Sequence, residues 1–328
     1  MANAPKPTQP AKSKLPCTLS LDLDDAWTYL RAAGRGGWET TDTVIPLVAD
    51  RLLEMLRRYD VKFSLFVITR DLEDDAKVAA LRPFVEEGHE IGCHSHWHEP
   101  TFATLDENRV RSEILGAADL IEQKFGVRPV GFRAPGFARN PHTPKILAEG
   151  GFTYDGSFLP TFLGPIARLY YFFNSKMTKE ERKERAAMFG RLGDVFGPLT
   201  GRPHAQAPGV LDLPVTTMPL FRVPFHLSYV LWLAGKSSWL AKRYLGTALN
   251  LCRLTRTPPS YLLHSLDFVG HGEHAELDFF PGMNTAWEKK QAMIEHLMTQ
   301  LTKKFAVQPI APFVRPDTEQ RQLASAAR

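Results

Sequence analysis

The sequence contains two dense clusters of side chains that could bind a metal ion. Residues 22–25 (DLDD) place three carboxylates within four positions, and these repel one another unless a cation lies between them. Residues 94–98 (HSHWH) hold three imidazoles, and imidazoles at this density suit a borderline transition metal such as Zn²⁺. Taken singly, either cluster could be a polar surface turn. Together they predict a catalytic site of one carboxylate and two histidines, with positions left for water.

Two further residues that could do chemistry follow predicted strands. Arg133 lies in the segment GFRAPGF, and close to the acidic cluster its guanidinium could hold one carboxylate in a bidentate contact. Elsewhere it would be an ordinary surface arginine. His264 follows the apolar run YLL, where a lone histidine is more often structural than catalytic. No Gly-rich nucleotide loop and no GxSxG nucleophile motif accompanies these residues.

The elements that must position these residues alternate between strands and helices. Strand patterns cover residues 17–23, 61–68, 90–93 and 130–133, and helical patterns cover 45–59, 75–87, 106–125 and 141–149. The alternation resumes late in the chain with a strand at 260–266, a helix at 285–305 and a short strand at 308–313. This order indicates parallel strands with helices outside, as a barrel or a doubly wound sheet. Active sites of such folds lie at strand ends, where both clusters fall.

Composition describes an ordinary globular protein. Of its 328 residues 44% are hydrophobic, and the net charge of +4 is too weak to argue for a nucleic-acid partner. The three cysteines, in no CxxC spacing, favour a reducing compartment. Residues 1–16 and 315–328 are predicted to be polar tails, and the first of these lacks the apolar segment of a secretory signal. We therefore expect a cytoplasmic protein without a membrane-spanning helix.

A basic, mostly helical insertion is predicted at about 160–257, and it includes one helical block over 224–254. Residues 160–260 contain 14 Lys and Arg against 5 Asp and Glu, a net charge of +9 that leaves −5 on the rest of the chain. Trp232, Trp239 and Tyr244 lie among these basic residues. One interpretation is a subdomain that covers the barrel. The other is an amphipathic surface that contacts anionic membrane at its inner face.

The order of five motifs resembles the polysaccharide deacetylase family, the NodB-homology domains of carbohydrate esterase family 4. The motifs are the acidic cluster, His-x-x-x-His at 94–98, Arg-x-Pro at 133–135, Asp155 in GFTYDGSF, and Leu-His at 263–264. The resemblance covers about residues 17–158 and 258–313. It implies an α/β fold, a distorted (β/α) barrel of NodB-homology type over residues 17–314 that is interrupted by the insertion.

The resemblance also implies roles for individual residues. His94 and His98 would be metal ligands, Arg133 would orient the catalytic base, and His264 would be the general acid. Asp155 would support the site. The implied cofactor is one divalent metal ion, zinc first, with cobalt, nickel, manganese and iron as alternatives.

The acidic motif departs from the usual family pattern, Thr-Phe-Asp-Asp-Gly, so two registers are open. In one, Asp22 is the base and Asp24 the ligand, which resembles an Asp-x-Asp branch of the family. In the other, Asp24 is the base and Asp25 the ligand. The first is favoured because Asp22 and Asp24 share one face of a strand.

The implied activity is metal-dependent removal of an N-acyl group from a sugar or glycan, with acetyl as the favoured acyl group. The basic insertion and the absence of an export signal would suit a polyprenyl-phosphate-linked sugar as substrate. Two alternatives are an allantoinase-like hydrolase of a small cyclic amide and a non-catalytic glycan-binding protein on the same fold.

Overall fold

A single mixed, mainly parallel sheet organises the protein, whose computed structural model describes residues 14–164, 177–185 and 192–315. In this part of the chain the strands are β1 (Leu15–Leu23), β2 (Ser64–Val67), β3 (Glu90–Cys93), β4 (Gly131–Phe132), β5 (Tyr154–Phe158), β6 (Arg202–His204), β7 (Ala207–Pro214), β8 (Ser260–His264) and β9 (Phe305–Gln308). The strand order is β6-β7-β5-β4-β3-β2-β1-β8, and β9 pairs with the start of β1. All pairs are parallel except β6 with β7.

Helices follow most of the strands. The α-helices of the described residues are α1 (Ala26–Ala32), α2 (Ile45–Tyr59), α3 (Asp75–Glu86), α4 (Glu107–Arg111), α5 (Ala117–Phe125), α6 (Thr143–Glu149), α7 (Lys179–Glu184), α8 (Leu227–Lys236), α9 (Ser238–Leu254), α10 (Trp287–Lys304) and α11 (Ile310–Val314). None of them is both long enough and apolar enough to cross a bilayer. The helix predicted over 106–125 contains a π-helical turn at Ser112–Gly116, between α4 and α5.

Strand β1 turns one face to the core and the other to the candidate site, because successive side chains of a strand point to opposite faces. Cys17, Leu19, Leu21 and Leu23 alternate onto one face and belong to the main hydrophobic cluster. Burial of each leucine side chain contributes about 1.5–3 kcal/mol. The opposite face carries Thr18, Ser20 and Asp22, and the chain then leaves the strand at Asp24. One strand thus supplies both the packing and the acidic residues of the site.

The structure corrects three sequence predictions. The strand predicted at 308–313 is instead β9 followed by α11, because residues 305–308 pair with Leu15–Thr18. That pairing also begins β1 at Leu15, within the predicted tail. The single helical block predicted over 224–254 is two helices, because Ser237 ends α8 in an extended conformation and caps α9 by accepting from the Leu240 N–H.

The predicted insertion is only partly separate from the sheet. Within it, β7 pairs with β5 and so extends the main sheet, whereas α8 and α9 pack beside β8 and α10. Residues 165–176 and 186–191 of this segment lie outside the described residues, as do 1–13 and 316–328 of the predicted tails.

Candidate active site

Asp24, His94 and His98 meet beyond the ends of β1 and β3. The Asp24 Oδ1 atom lies 3.5 Å from His94 Nε2 and 3.3 Å from His98 Nε2. One ligand atom from each residue lies within 4.8 Å of the other two, and no other such group of His, Cys, Asp or Glu occurs among the described residues. These are the carboxylate and the two histidines that the sequence motifs predict as metal ligands.

The polar atoms of this group fit a divalent cation. Asp24 Oδ1 is buried and has no hydrogen-bond partner. Burial opposes ionisation of Asp24, yet His98, His94 and His264 together lower its pKa to about 2, so the carboxylate is charged. The His94 Nδ1–H donates to the Arg133 carbonyl at 2.7 Å, which leaves the Nε2 lone pair directed at the group. Two imidazole nitrogens and one carboxylate oxygen are a donor set that Zn²⁺ takes in catalytic sites.

The loop that carries the two histidines is held in an unusual backbone conformation. Ser95 and His98 have positive φ values of 66° and 46°, which non-glycine residues rarely adopt. The loop is fixed by Ser95 Oγ, which accepts from the His98 N–H, and by buried Glu113, whose Oε2 accepts from the N–H groups of His96 and Trp97. His96 itself turns away, with Nδ1 2.9 Å from the Thr69 hydroxyl.

Asp22 and Arg133 form a buried ion pair next to this group. Arg133 is fully buried, and its guanidinium donates to Asp22 Oδ1, to Ser20 Oγ and to the Gly156 carbonyl. A Cβ at Gly156 would lie 3.1 Å from Arg133 Nε, so the glycine leaves room for the guanidinium. The other carboxylate oxygen, Asp22 Oδ2, lies 4.0 Å from His94 Nε2. Arg133 therefore fixes one oxygen of Asp22 while the other faces the candidate metal ligands.

His264 ends β8 directly beside Asp22 in the sheet register. Its Nδ1 atom lies 3.0 Å from the Ser228 hydroxyl at the start of α8. Its backbone N–H donates to Asp267 Oδ2 at 2.9 Å. Because Ser228 occupies Nδ1, the nitrogen left for other partners is Nε2.

Asp25 and Asp155 lie outside this constellation. The carboxylate of Asp25 caps α1 and accepts four hydrogen bonds, from the Ala26 and Val44 N–H groups, the Thr43 hydroxyl and the Lys77 ammonium. Asp155 accepts from the N–H and hydroxyl of Ser157, and Ser157 Oγ accepts from the Ala134 N–H. Asp155 thus supports the chain immediately after Arg133 rather than facing the metal ligands.

Sequence reasoning missed three residues at the site: Glu113, His226 and Ser228. Glu113 lies on the same helix face as the buried residues Val110 and Ala117. A charged residue on an otherwise apolar face is the sequence signal that could have identified it. His226 and Ser228 reach the site only because α8 packs against β8, and no local pattern marks them.

A cavity of about 460 Å³ joins these residues. One end is lined by Asp22, Asp24, His94, His98 and His264. Most of the remaining lining is apolar and includes Phe137, Leu159, Leu163, Leu231, Trp232 and Phe280. Trp232 is also 49% exposed, which places it at the mouth.

Comparison with known proteins agrees with the motif order. Residues 35–154 match the family model described as polysaccharide deacetylase. A peptidoglycan deacetylase of Helicobacter pylori is 28% identical over 109 residues, which are 33% of this chain and 36% of the relative. A peptidoglycan deacetylase-like protein of Gibberella zeae is 32% identical over 123 residues, 37% of this chain and 34% of the relative. The matches thus span about a third of the length of these curated relatives.

The fold has close counterparts among solved structures. The crystal structure of a putative polysaccharide deacetylase from Mycobacterium smegmatis aligns with 98% of this chain and 96% of its own, with a TM-score of 0.57 at 19% identity. This similarity confirms the predicted distorted (β/α) barrel. The match of residues 35–154 to the polysaccharide deacetylase model agrees with the predicted family.

Proposed function

We propose that this protein is a metal-dependent hydrolase that removes an N-acyl group from a sugar or glycan, with acetyl as the favoured acyl group. The observation that carries the proposal is the grouping of Asp24, His94 and His98 around an unpartnered carboxylate oxygen, in one cavity with Asp22 and His264. The match of residues 35–154 to the polysaccharide deacetylase model supports a sugar deacetylation rather than another hydrolysis.

The residues divide into ligands, base and acid. Asp24, His94 and His98 would hold the cation, with zinc as the metal that best fits two imidazoles and one carboxylate. When bound, the cation supplies a Lewis acid for the amide carbonyl and for water. Asp22 accepts the proton of the attacking water through Oδ2, since Arg133 holds Oδ1. His264 donates a proton from Nε2 to the departing nitrogen.

The geometry favours Asp22 over Asp24 as the base. Asp25, the ligand of the other register, has both oxygens occupied by the caps of its own helix and by Lys77. Asp24 has a buried oxygen with no partner, as a ligand awaiting a cation would.

Metal analysis combined with an amine-release assay tests this function. The purified protein is loaded with zinc and offered N-acetyl and N-formyl sugars, free and lipid-linked. We expect stoichiometric zinc and release of amine, and we expect His98→Ala to lose both while His96→Ala keeps both, because His96 bonds to Thr69 instead. A wild-type protein that binds no zinc, or binds it and releases amine from none of these sugars, contradicts the proposal.

We further propose that the substrate is lipid-linked and that the protein meets it at an anionic membrane. Apolar residues line the cavity up to Trp232, and a hydrocarbon chain gains about 0.8 kcal/mol for each buried CH₂ group. Beyond the mouth, Trp239 is 70% exposed on α9 and lies beside the guanidinium of Arg243. Tyr244 is less available, since its hydroxyl donates to the Pro224 carbonyl. Anionic lipids give the cytoplasmic leaflet a negative surface potential, so we propose that this contact forms at that leaflet.

Vesicle sedimentation tests the membrane contact. We expect the protein to sediment with phosphatidylglycerol-containing vesicles and not with neutral ones. Arg243→Glu should weaken this binding, whereas Lys289→Glu, an exposed lysine on α10, should leave it nearly unchanged. Equal effects of the two substitutions would assign the binding to overall charge and refute a specific surface on α9.

A further inference from the structure

His226 is a buried imidazole in the wall of the catalytic cavity. It precedes α8, is 6% exposed and lines the same cavity as Asp24 and His264. Its ring centroid lies 5.5 Å from that of His264 and 4.7 Å from that of Tyr229. The segment that begins α8 therefore supplies two side chains next to His264, since Ser228 bonds to His264 from the same turn.

The ring nitrogens of His226 make no hydrogen bond with the described part of the protein. Its Nδ1 atom is buried without a hydrogen-bond partner, and no side-chain hydrogen bond of His226 occurs among the described residues. By contrast, His94 and His264 each have one ring nitrogen bonded to the protein. Because Nδ1 has no accessible surface, the ring nitrogen that can meet a molecule in the cavity is Nε2, which also makes no hydrogen bond with the described residues.

The electrostatic surroundings keep His226 uncharged. Burial, and then the nearby charges of His264 and Arg133, lower its pKa well below the usual value. A neutral imidazole carries one donor and one acceptor. A sugar hydroxyl also carries both, so the two groups are complementary in either direction.

We propose that His226 binds a hydroxyl group of the substrate sugar, on the ring carbon next to the one that carries the N-acyl group. The proposal rests on the function proposed above. His264 would lie at the departing nitrogen, and the neighbouring imidazole of His226 can be reached from the same sugar ring. The contact comes from α8 within the insertion, outside the motifs that the family resemblance covers.

A substitution combined with substrate analogues tests the contact. The zinc-loaded protein, His226→Phe and His226→Gln are compared on the methyl glycoside of N-acetylglucosamine and on analogues in which one ring hydroxyl is replaced by hydrogen. His226→Phe should lower kcat/KM about 10-fold on the parent sugar, the value of one neutral hydrogen bond. His226→Gln should lose less because its amide can bond to the hydroxyl. On the analogue that lacks the contacted hydroxyl, the penalty of His226→Phe should disappear.

The controls separate this contact from a structural role. Zinc content and unfolding midpoint are measured for each variant, and His226→Gln carries the test if His226→Phe does not fold. An equal penalty on every analogue, or no penalty on the parent sugar, overturns the contact while the proposed function stands. If the wild type deacetylates only the lipid-linked sugar, the analogues are prepared on that sugar. A wild-type protein that binds zinc but deacetylates none of the sugars, free or lipid-linked, overturns both.

Discussion

Glu113 allows a prediction that separates support of the metal-binding loop from direct ligation. It is fully buried in the π-helical turn and accepts the N–H groups of His96 and Trp97 at 3.0 and 2.8 Å. These two amides lie between the proposed ligands His94 and His98. Glu113→Ala should therefore loosen the loop without removing any ligand atom.

The magnitude follows from the two lost hydrogen bonds. Each buried N–H left without an acceptor costs about 1–3 kcal/mol. Removal of the carboxylate also removes its desolvation, which is the main reason that the pKa of Glu113 is raised. We therefore expect a net loss of about 1–3 kcal/mol in the free energy of unfolding. Partners that orient metal ligands typically change metal affinity by about 10–100-fold, so we expect a loss in that range for zinc.

The assay is competition for zinc against a chelating indicator, together with urea unfolding of the metal-free protein. Glu107→Ala is the matched control, because Glu107 lies in α4, directly before the π-helical turn, and its ion pairs are on the surface, with Arg111, Lys145 and His142. Such pairs contribute at most about 1 kcal/mol and lie away from the loop. Glu113→Gln should recover much of the affinity, since its amide oxygen can accept the same N–H groups. If Glu113→Ala binds zinc as tightly as Glu107→Ala, the proposed support of the loop is refuted.

Four other substitutions test the remaining assignments. Asp22→Asn should lower kcat by about 10²-fold or more with zinc still bound, because an amide cannot accept the proton; full activity would exclude Asp22 as the base. Asp25→Ala should instead lower the free energy of unfolding by about 2 kcal/mol or more in urea, through loss of the α1 cap. His94→Ala should abolish zinc binding in a metal-content assay, and retained zinc would remove it from the ligand set. Burial and then Asp212 raise the pKa of Asp155 from 3.8 to about 6, so its ionisation destabilises the fold as pH rises through that interval, and Asp155→Asn should remove this loss. A pH-independent difference between wild type and Asp155→Asn would contradict the raised pKa.

The sequence predicts those parts of the site that depend on local periodicity and motif order. Alternation along β1 places Asp22 on the face opposite the core, Asp24 follows directly after the strand, and the ends of parallel strands bring the histidine loop to both. The sequence does not predict contacts that depend on tertiary packing. Ser228 meets His264 only because α8 lies beside β8, and Ser237 divides a helical pattern that looks continuous. No periodicity within the insertion marks either residue.

The burial pattern of β1 also favours the proposed register of Asp22 and Asp24 over that of Asp24 and Asp25. A shift of one residue along a strand moves every side chain to the opposite face. Such a shift would turn Asp22 toward the core occupied by Leu21 and Leu23. It would also leave the Ala26 and Val44 N–H groups and the Thr43 hydroxyl without the Asp25 acceptor. The Asp22 carboxylate would be desolvated and these three donors would lose their acceptor, so the packing of the strand favours Asp22 and Asp24 as the acidic pair of the site.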